Sequence, residues 1–229
     1  MATATPTNTP TQTALFNNPY PFQSVPPTHH GLYSRTSSMI LGNKETKRGV
    51  GTVNPIVIGG CPGSGKTTVS KKLAASINGS VVIETDQFFD FLNNPIDPST
   101  PAAKTQNETV IQAYAAAANV YRMAGHTVIL EGVIGPWVLP MLSKTIGRFH
   151  YILLHTTLDS ALSRVARRKS KTISPGSVRR MHPQFQKVID SYRVHTIDTA
   201  SDSIPAIVDK ARRKLNEKSV EIQLGYDVE

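Results

Sequence analysis

The 229-residue chain has little cysteine, little tryptophan and few acids: one Cys, one Trp, and 16 Asp plus Glu against 25 Lys plus Arg. A lone thiol, Cys61, excludes an intramolecular disulfide framework and suits a reducing compartment. No run of about 18 apolar residues occurs, so no membrane-spanning helix and no membrane partner are expected. A basic start followed by an apolar core is missing too, which excludes a secretory signal. The formal net charge of +9 suits anionic ligands, through a solvated basic surface or through nucleic-acid contact.

No acidic residue precedes Glu45, and residues 1–52 are rich in Thr, Pro, Asn and Ser without apolar periodicity. Such a segment buries too little apolar surface to offset its ordering entropy, so it reads as disordered or loosely attached. The expected location is cytoplasmic. A plastid or mitochondrial transit segment is the alternative, favoured by the missing acids and opposed by scarce arginine. The folded part is expected over residues 53–229.

What is present begins at Gly60-Cys61-Pro62-Gly63-Ser64-Gly65-Lys66-Thr67-Thr68, which contains G-x-x-x-x-G-K-[ST]. An apolar strand over 55–58 leads in. A helix leads out, with Val69, Leu73 and Ile77 four apart on one face. The chemistry needs this order: glycines let successive N–H groups converge on one phosphate, and the helix N-terminus adds partial positive charge. Lys66 is placed to reach the β- and γ-phosphates of a nucleoside triphosphate, and Thr67 to ligand Mg²⁺. Cys61 either fills a tolerant position or offers a site where oxidation blocks nucleotide.

Further strands are expected over 81–84, 127–131, 149–154 and 195–198, alternating with helices over 105–124, 137–146, 158–169, 178–193 and 204–215. Thr105 and Glu108 read as a capping box, and Gly125 as the stop behind a face of Val110, Ala113, Tyr114, Ala117, Tyr121 and Ala124. Pro183 should break the 178–193 helix. Strict alternation implies an α/β fold, a parallel sheet with helices on both faces. Ligands in such sheets bind at the carboxyl ends of the strands, where the loop, Asp86 and Glu131 all fall.

Asp86, just past the second strand, is either the base that takes a proton from an acceptor hydroxyl or the cap of the turn behind it. Glu131 is a Mg²⁺-shell carboxylate, a general base, or an ordinary strand-end acid in solvent. Arg164, Arg167 and Arg168 share one helix face, read as phosphate-neutralising groups or as a solvated basic face. Arg179 and Arg180 rank behind them. His182 reads as structural. Trp137 reads as core, with a substrate-side position as the alternative.

The phosphate loop, Glu84-Thr85-Asp86-Gln87-Phe88, Leu130-Glu131-Gly132 with Gly135-Pro136-Trp137, and the arginines from 164 to 168 together resemble small P-loop kinases. The similar group comprises chloramphenicol phosphotransferase, zeta toxins and gluconate or shikimate kinases, over about residues 53–215. The resemblance implies a P-loop NTPase three-layer sandwich of about five parallel strands in order 2-3-1-4-5, with a lid over about 164–193. It implies ATP and Mg²⁺ as cofactors, Asp86 as the substrate-activating acid, Arg164 and Arg168 as lid arginines, and Asp198-Thr199 near the adenine. Two departures stand out: Glu131 occupies a place where Asp is commoner, and residues 93–105 match no acceptor pocket of the group.

The leading expectation is therefore a phosphotransferase moving the γ-phosphate of ATP to a hydroxyl of a small molecule. The second is a kinase of RNA or DNA ends, favoured by net charge and weakened by the lack of an aromatic-interleaved basic strand. The third is an ATPase switch without an acceptor.

Overall fold

The computed structural model of the chain describes residues 53–167 and 174–223. The segment 1–52, expected to be loosely attached, lies outside the described residues. The apolar runs form parallel strands: Ile56–Gly60 (β1), Ser80–Glu84 (β2), Thr127–Glu131 (β3), Phe149–His155 (β4) and Thr196–Asp198 (β5). Their order is β2-β3-β1-β4-β5, as the family resemblance implies. β1 pairs with β3 on one edge and β4 on the other, so the chain reverses its direction of winding beside it. A crevice opens at such a switch point, beyond the carboxyl ends of the strands.

The period of two along each strand divides the core into two layers. Val57, Val128, Leu130, Tyr151 and Leu153 face one side. There they pack against Lys104–Met123 (α2), Leu139–Ile146 (α3), Leu158–Ala166 (α4) and Pro175–Gln186 (α5). Ile56, Ile58, Ile129, Ile152 and Leu154 face the other side and meet Lys66–Ala74 (α1) and Ile204–Asn216 (α6). Each such side chain contributes about 1.5–3 kcal/mol by leaving water. Side-chain caps start three of the helices: Thr157 accepts from Ser160 N, Ser174 from Ser177 N, and Ser203 from Ala206 N. Among the described residues, no helix is long and apolar enough to cross a membrane.

Several local expectations fail for tertiary reasons. A sixth strand, Glu221–Ile222 (β6), pairs antiparallel with β4 at Phe149 and His150. β5 uses only the last three residues of β4, so the chain after α6 can return to cover the start of that edge. Thr105 and Glu108 form no capping box: α2 already begins at Lys104, fed by a 3-10 turn at Pro101–Ala103 that supplies helical geometry one step earlier. Pro183 does not break its helix; α5 runs through it and ends at Gln186, held by the buried Val178, His182 and Phe185. Helix α4 ends at Ala166 rather than reaching 169. On α2 the buried face is Val110, Tyr114, Ala115 and Ala118, and Tyr121 is exposed. Gly125, at φ +87°, does close that segment.

Gly59 lies in β1 where a Cβ would fall 1.9 Å from the Ile134 carbonyl oxygen and 3.0 Å from the Tyr151 ring. The same carbonyl accepts the Tyr151 hydroxyl at 2.9 Å, which pins it in place. Gly59→Ala should therefore lower the unfolding free energy by about 1–3 kcal/mol. Thermal unfolding followed by circular dichroism checks this; an unchanged midpoint would mean that the 134 carbonyl yields freely.

Candidate functional site

The loop from β1 to α1 takes its shape from glycines at positive φ: Gly60 at +149°, Gly63 at +85° and Gly65 at +95°. Two of them are pressed against other backbone. A Cβ on Gly60 would meet the Leu154 carbonyl at 2.4 Å, and one on Gly63 would meet Ala161 at 2.6 Å. At Gly65 the corresponding space is open, and this residue lines a cleft. Lys66, the first residue of α1, is 7% exposed, and its ammonium donates to the Cys61 carbonyl at 3.1 Å. Cys61 itself is buried, and burial pushes its thiol above the ordinary range, which opposes reactivity.

The cleft, about 150 Å³, is lined by Pro62, Gly63, Gly65, Lys66, Thr67, Glu84, Asp86, Gln87 and Glu131. Glu131 ends β3 and is 3% exposed, so it is no ordinary acid in solvent. Burial pushes its carboxyl above the usual range; the Lys66 ammonium and the Thr67 hydroxyl oppose that, while Asp86 and Glu84 add to it. Asp86 is exposed and does not cap the turn behind it. Its Oδ1 accepts from Val133 N at 3.0 Å, while Thr85 Oγ1 donates to the Glu131 carbonyl at 3.2 Å. Gly132 makes this closeness feasible, since a Cβ there would sit 1.9 Å from Thr85 Oγ1. The ends of β2 and β3 are thus locked together with both carboxylates in one cleft. Two larger hollows, about 290 and 360 Å³, lie along β5 and α6 and at the opposite end of the sheet, away from these groups.

Glu84 is a cleft residue that the sequence reading did not single out. It pairs with Lys71 at 2.7 Å and accepts from Gln87 Nε2 at 3.0 Å. Its place at the end of a β-branched run was the available signal.

The arginines separate. Arg164 donates to the Gly63 carbonyl at 3.3 Å, to Thr199 Oγ1 at 3.1 Å and to the Thr199 carbonyl at 2.6 Å. It is therefore a tether under the loop, neither a solvated face nor a free lid group. Thr199 is buried and its hydroxyl also bonds the carbonyls of Ser64 and His155, both at 3.0 Å. Arg167 is exposed and donates to Ser163 Oγ; Arg168 lies outside the described residues. Arg180 reaches Asp97 at 3.1 Å, linking α5 to the 93–100 loop. Gln106 holds that loop onto α2 by bonding both the N–H and the carbonyl of Ile96. His182 is buried against the Thr156 carbonyl at 2.8 Å, as a structural histidine should be. Trp137 is not a core residue: it is 50% exposed.

Comparison with protein families matches residues 56–182 to the family described as an AAA domain, more than half of the chain. The chain belongs to the AAA domain family. In this AAA domain the matched span takes in the phosphate loop, Asp86, Glu131 and Arg164. Its fold is shared with solved structures. A sugar kinase from Janibacter sp. HTCC2649 superposes with a TM-score of 0.57 at 16% identity, over 72% of this chain and 95% of that one. A gluconokinase from Sinorhizobium meliloti 1021 reaches a TM-score of 0.49 at 17% identity, over 73% and 94%. A tunicamycin resistance protein from Deinococcus radiodurans reaches 0.49 at 20%, over 71% and 96%. At 16% identity the likeness to the sugar kinase is one of fold. No curated protein matches the chain.

The raised carboxyl of Glu131 has a thermodynamic consequence. Ionising it costs stability, so its contribution is most favourable below the ordinary carboxylate range and declines as pH rises through the raised value. Glu131→Gln of the ligand-free AAA domain should unfold at a higher temperature than the wild type at neutral pH, and the two should converge in acid. Calorimetry across that range checks this; a gap independent of pH would rule out the buried carboxylate as its source.

Proposed function

We propose that this AAA domain is an ATP-dependent phosphotransferase that moves the γ-phosphate of ATP to a hydroxyl of a small molecule. The observation that carries the reading is the convergence of Lys66, Thr67, Asp86 and Glu131 on one cleft at the carboxyl edge of the sheet. A structural acid needs no such neighbours, and a bare phosphate site needs no exposed carboxylate opposite it.

In this reading the backbone from Gly60 to Thr68 cradles the triphosphate, and Lys66 leaves the Cys61 carbonyl for the β- and γ-phosphates. Thr67 and Glu131 would hold Mg²⁺. The donor set fits: a hydroxyl and a buried carboxylate supply hard oxygens, and Mg²⁺ ordinarily takes only one or two carboxylates beside phosphate and water. When bound, the cation neutralises charge on the transferred group.

Asp86 is the base. Val133 N–H fixes its carboxylate while leaving it exposed to an incoming hydroxyl. The acceptor oxygen forms a bond to the γ-phosphorus, the bond to the bridging oxygen breaks with its electron pair leaving on ADP, and the acceptor proton passes to Asp86. Glu131 is the second candidate for the base, because its burial beside the Lys66 ammonium limits the access of an incoming hydroxyl. Arg164 holds the loop in shape, and Arg168, four residues on, is the candidate for the phosphate-facing lid role.

Lys66→Ala should abolish transfer from γ-labelled ATP to an acceptor panel; wild-type turnover in that variant would remove the phosphate-loop argument. Asp86→Asn should slow acceptor labelling by about 10²–10⁴-fold with ATP affinity nearly unchanged. An undiminished rate would reassign the base to Glu131. Label on RNA ends rather than on metabolites would favour a polynucleotide kinase, and label only in free phosphate an ATPase.

A further inference from the structure

Trp137, the only tryptophan in the chain, is half exposed yet firmly held. A Cβ on Gly135 would fall 2.2–2.4 Å from three atoms of the indole six-membered ring, so that ring lies directly on the Gly135 backbone. The indole also meets Phe185 of α5, with ring centroids 5.0 Å apart and planes inclined at 56°. Two supports therefore fix the ring while half its surface is left in water. A ring kept only for packing would be driven under cover, whereas a pinned and exposed aromatic suits a contact surface that is rigid before its ligand arrives.

The loop that carries the indole is the one that anchors the base. Val133 N–H holds Asp86, Gly132 abuts Thr85 and Asp86, and Trp137 follows four residues after Val133. The cleft at about 150 Å³ is smaller than the roughly 300–1,000 Å³ of ordinary ligand pockets. It suffices for phosphates, so the acceptor must extend past its rim. Phe91, closing the 3-10 turn that contains Asp86, is 76% exposed and edge-on to Phe88 at 5.4 Å. The polar lining beyond the phosphate loop is Glu84, Asp86, Gln87 and Glu131, which offers hydrogen-bond acceptors and negative charge to a polyhydroxylated ligand.

We propose that the exposed indole of Trp137 is the stacking surface for the phosphoryl acceptor, and that the acceptor is a ring-bearing alcohol, neutral or amine-bearing, rather than an anionic one. This rests on the kinase reading above. A ring presents an apolar or π face to the indole while its hydroxyl turns to Asp86. An acceptor amine gains from the ring quadrupole and the carboxylates. An anionic acceptor meets the exposed Asp86 with like charge, whereas Glu84 is already paired with Lys71.

A lone tryptophan makes binding directly readable. The full chain, loaded with Mg²⁺ and a non-hydrolysable ATP analogue, is titrated with glucosamine, adenosine and gluconate while indole emission is followed. A saturable change with glucosamine or adenosine is expected, with gluconate about tenfold weaker or more; which ring responds tells a sugar from a nucleoside. Trp137→Ala should raise the KM of the responding ring alcohol about tenfold with kcat within about threefold, and Trp137→Phe should restore the KM. Emission unmoved by both rings, gluconate binding as tightly as either, or an unchanged KM in Trp137→Ala would overturn the proposal. A ring that shifts emission but never receives label from γ-labelled ATP would support the stacking surface and sink the kinase reading instead.

Discussion

The phosphate loop keeps its shape because backbone from elsewhere in the fold closes on it at distances that admit no side chain. Leu154 of β4 presses on Gly60, and Ala161 of α4 presses on Gly63. Carbonyl groups of the loop are then drawn underneath: Arg164 takes the Gly63 oxygen, and Thr199 takes that of Ser64. In a trans peptide the N–H points opposite to the C=O. Pulling the Ser64 carbonyl toward Thr199 thus aims the Gly65 N–H to the other side, and Gly65 is the loop glycine with open space before it. Glycine content permits this loop; β4, α4 and the residue after β5 impose it.

Electrostatics follow from the same enclosure. Glu131 is buried at the end of a central strand, and the Lys66 ammonium and the Thr67 hydroxyl only partly offset the desolvation of its carboxyl. A hard cation at Thr67 and Glu131 would favour the ionised form, which couples metal affinity to pH. Asp86 differs because it lies past its strand, in an exposed turn, tied by one backbone N–H. Two carboxylates a few positions apart in the sheet register therefore have different environments, one buried and one exposed.

The central sheet was legible because its cause is local. β1 and β3 are short apolar runs bounded by glycine, and their period-two burial on two faces is what a covered parallel sheet demands. The position of Asp86 and Glu131 in one cleft was legible because both follow apolar runs, whose carboxyl ends share one edge of a parallel sheet. The capping box at Thr105 misled because Pro101 starts a 3-10 turn that makes a side-chain cap unnecessary. Pro183 misled because its cost is met by burying Val178, His182 and Phe185 around it. Trp137 misled because composition says only that tryptophan tends to be covered, not that a glycine two residues earlier will give its ring a shelf.

By itself the sequence determined the strand–loop–helix order, the lysine and threonine that follow the glycines, and the alternation that makes the fold α/β. These depend on spacing, backbone freedom and periodicity, all properties of neighbours along the chain. Only the tertiary structure decided that Arg164 is a tether, that Thr199 lies beneath a loop 135 residues earlier in the chain, that β6 covers the remaining edge of β4, and that Trp137 stays in water. Each of those is a contact between distant segments, set by strand order and by how helices fill the two faces of the sheet, and local pattern carries no record of it.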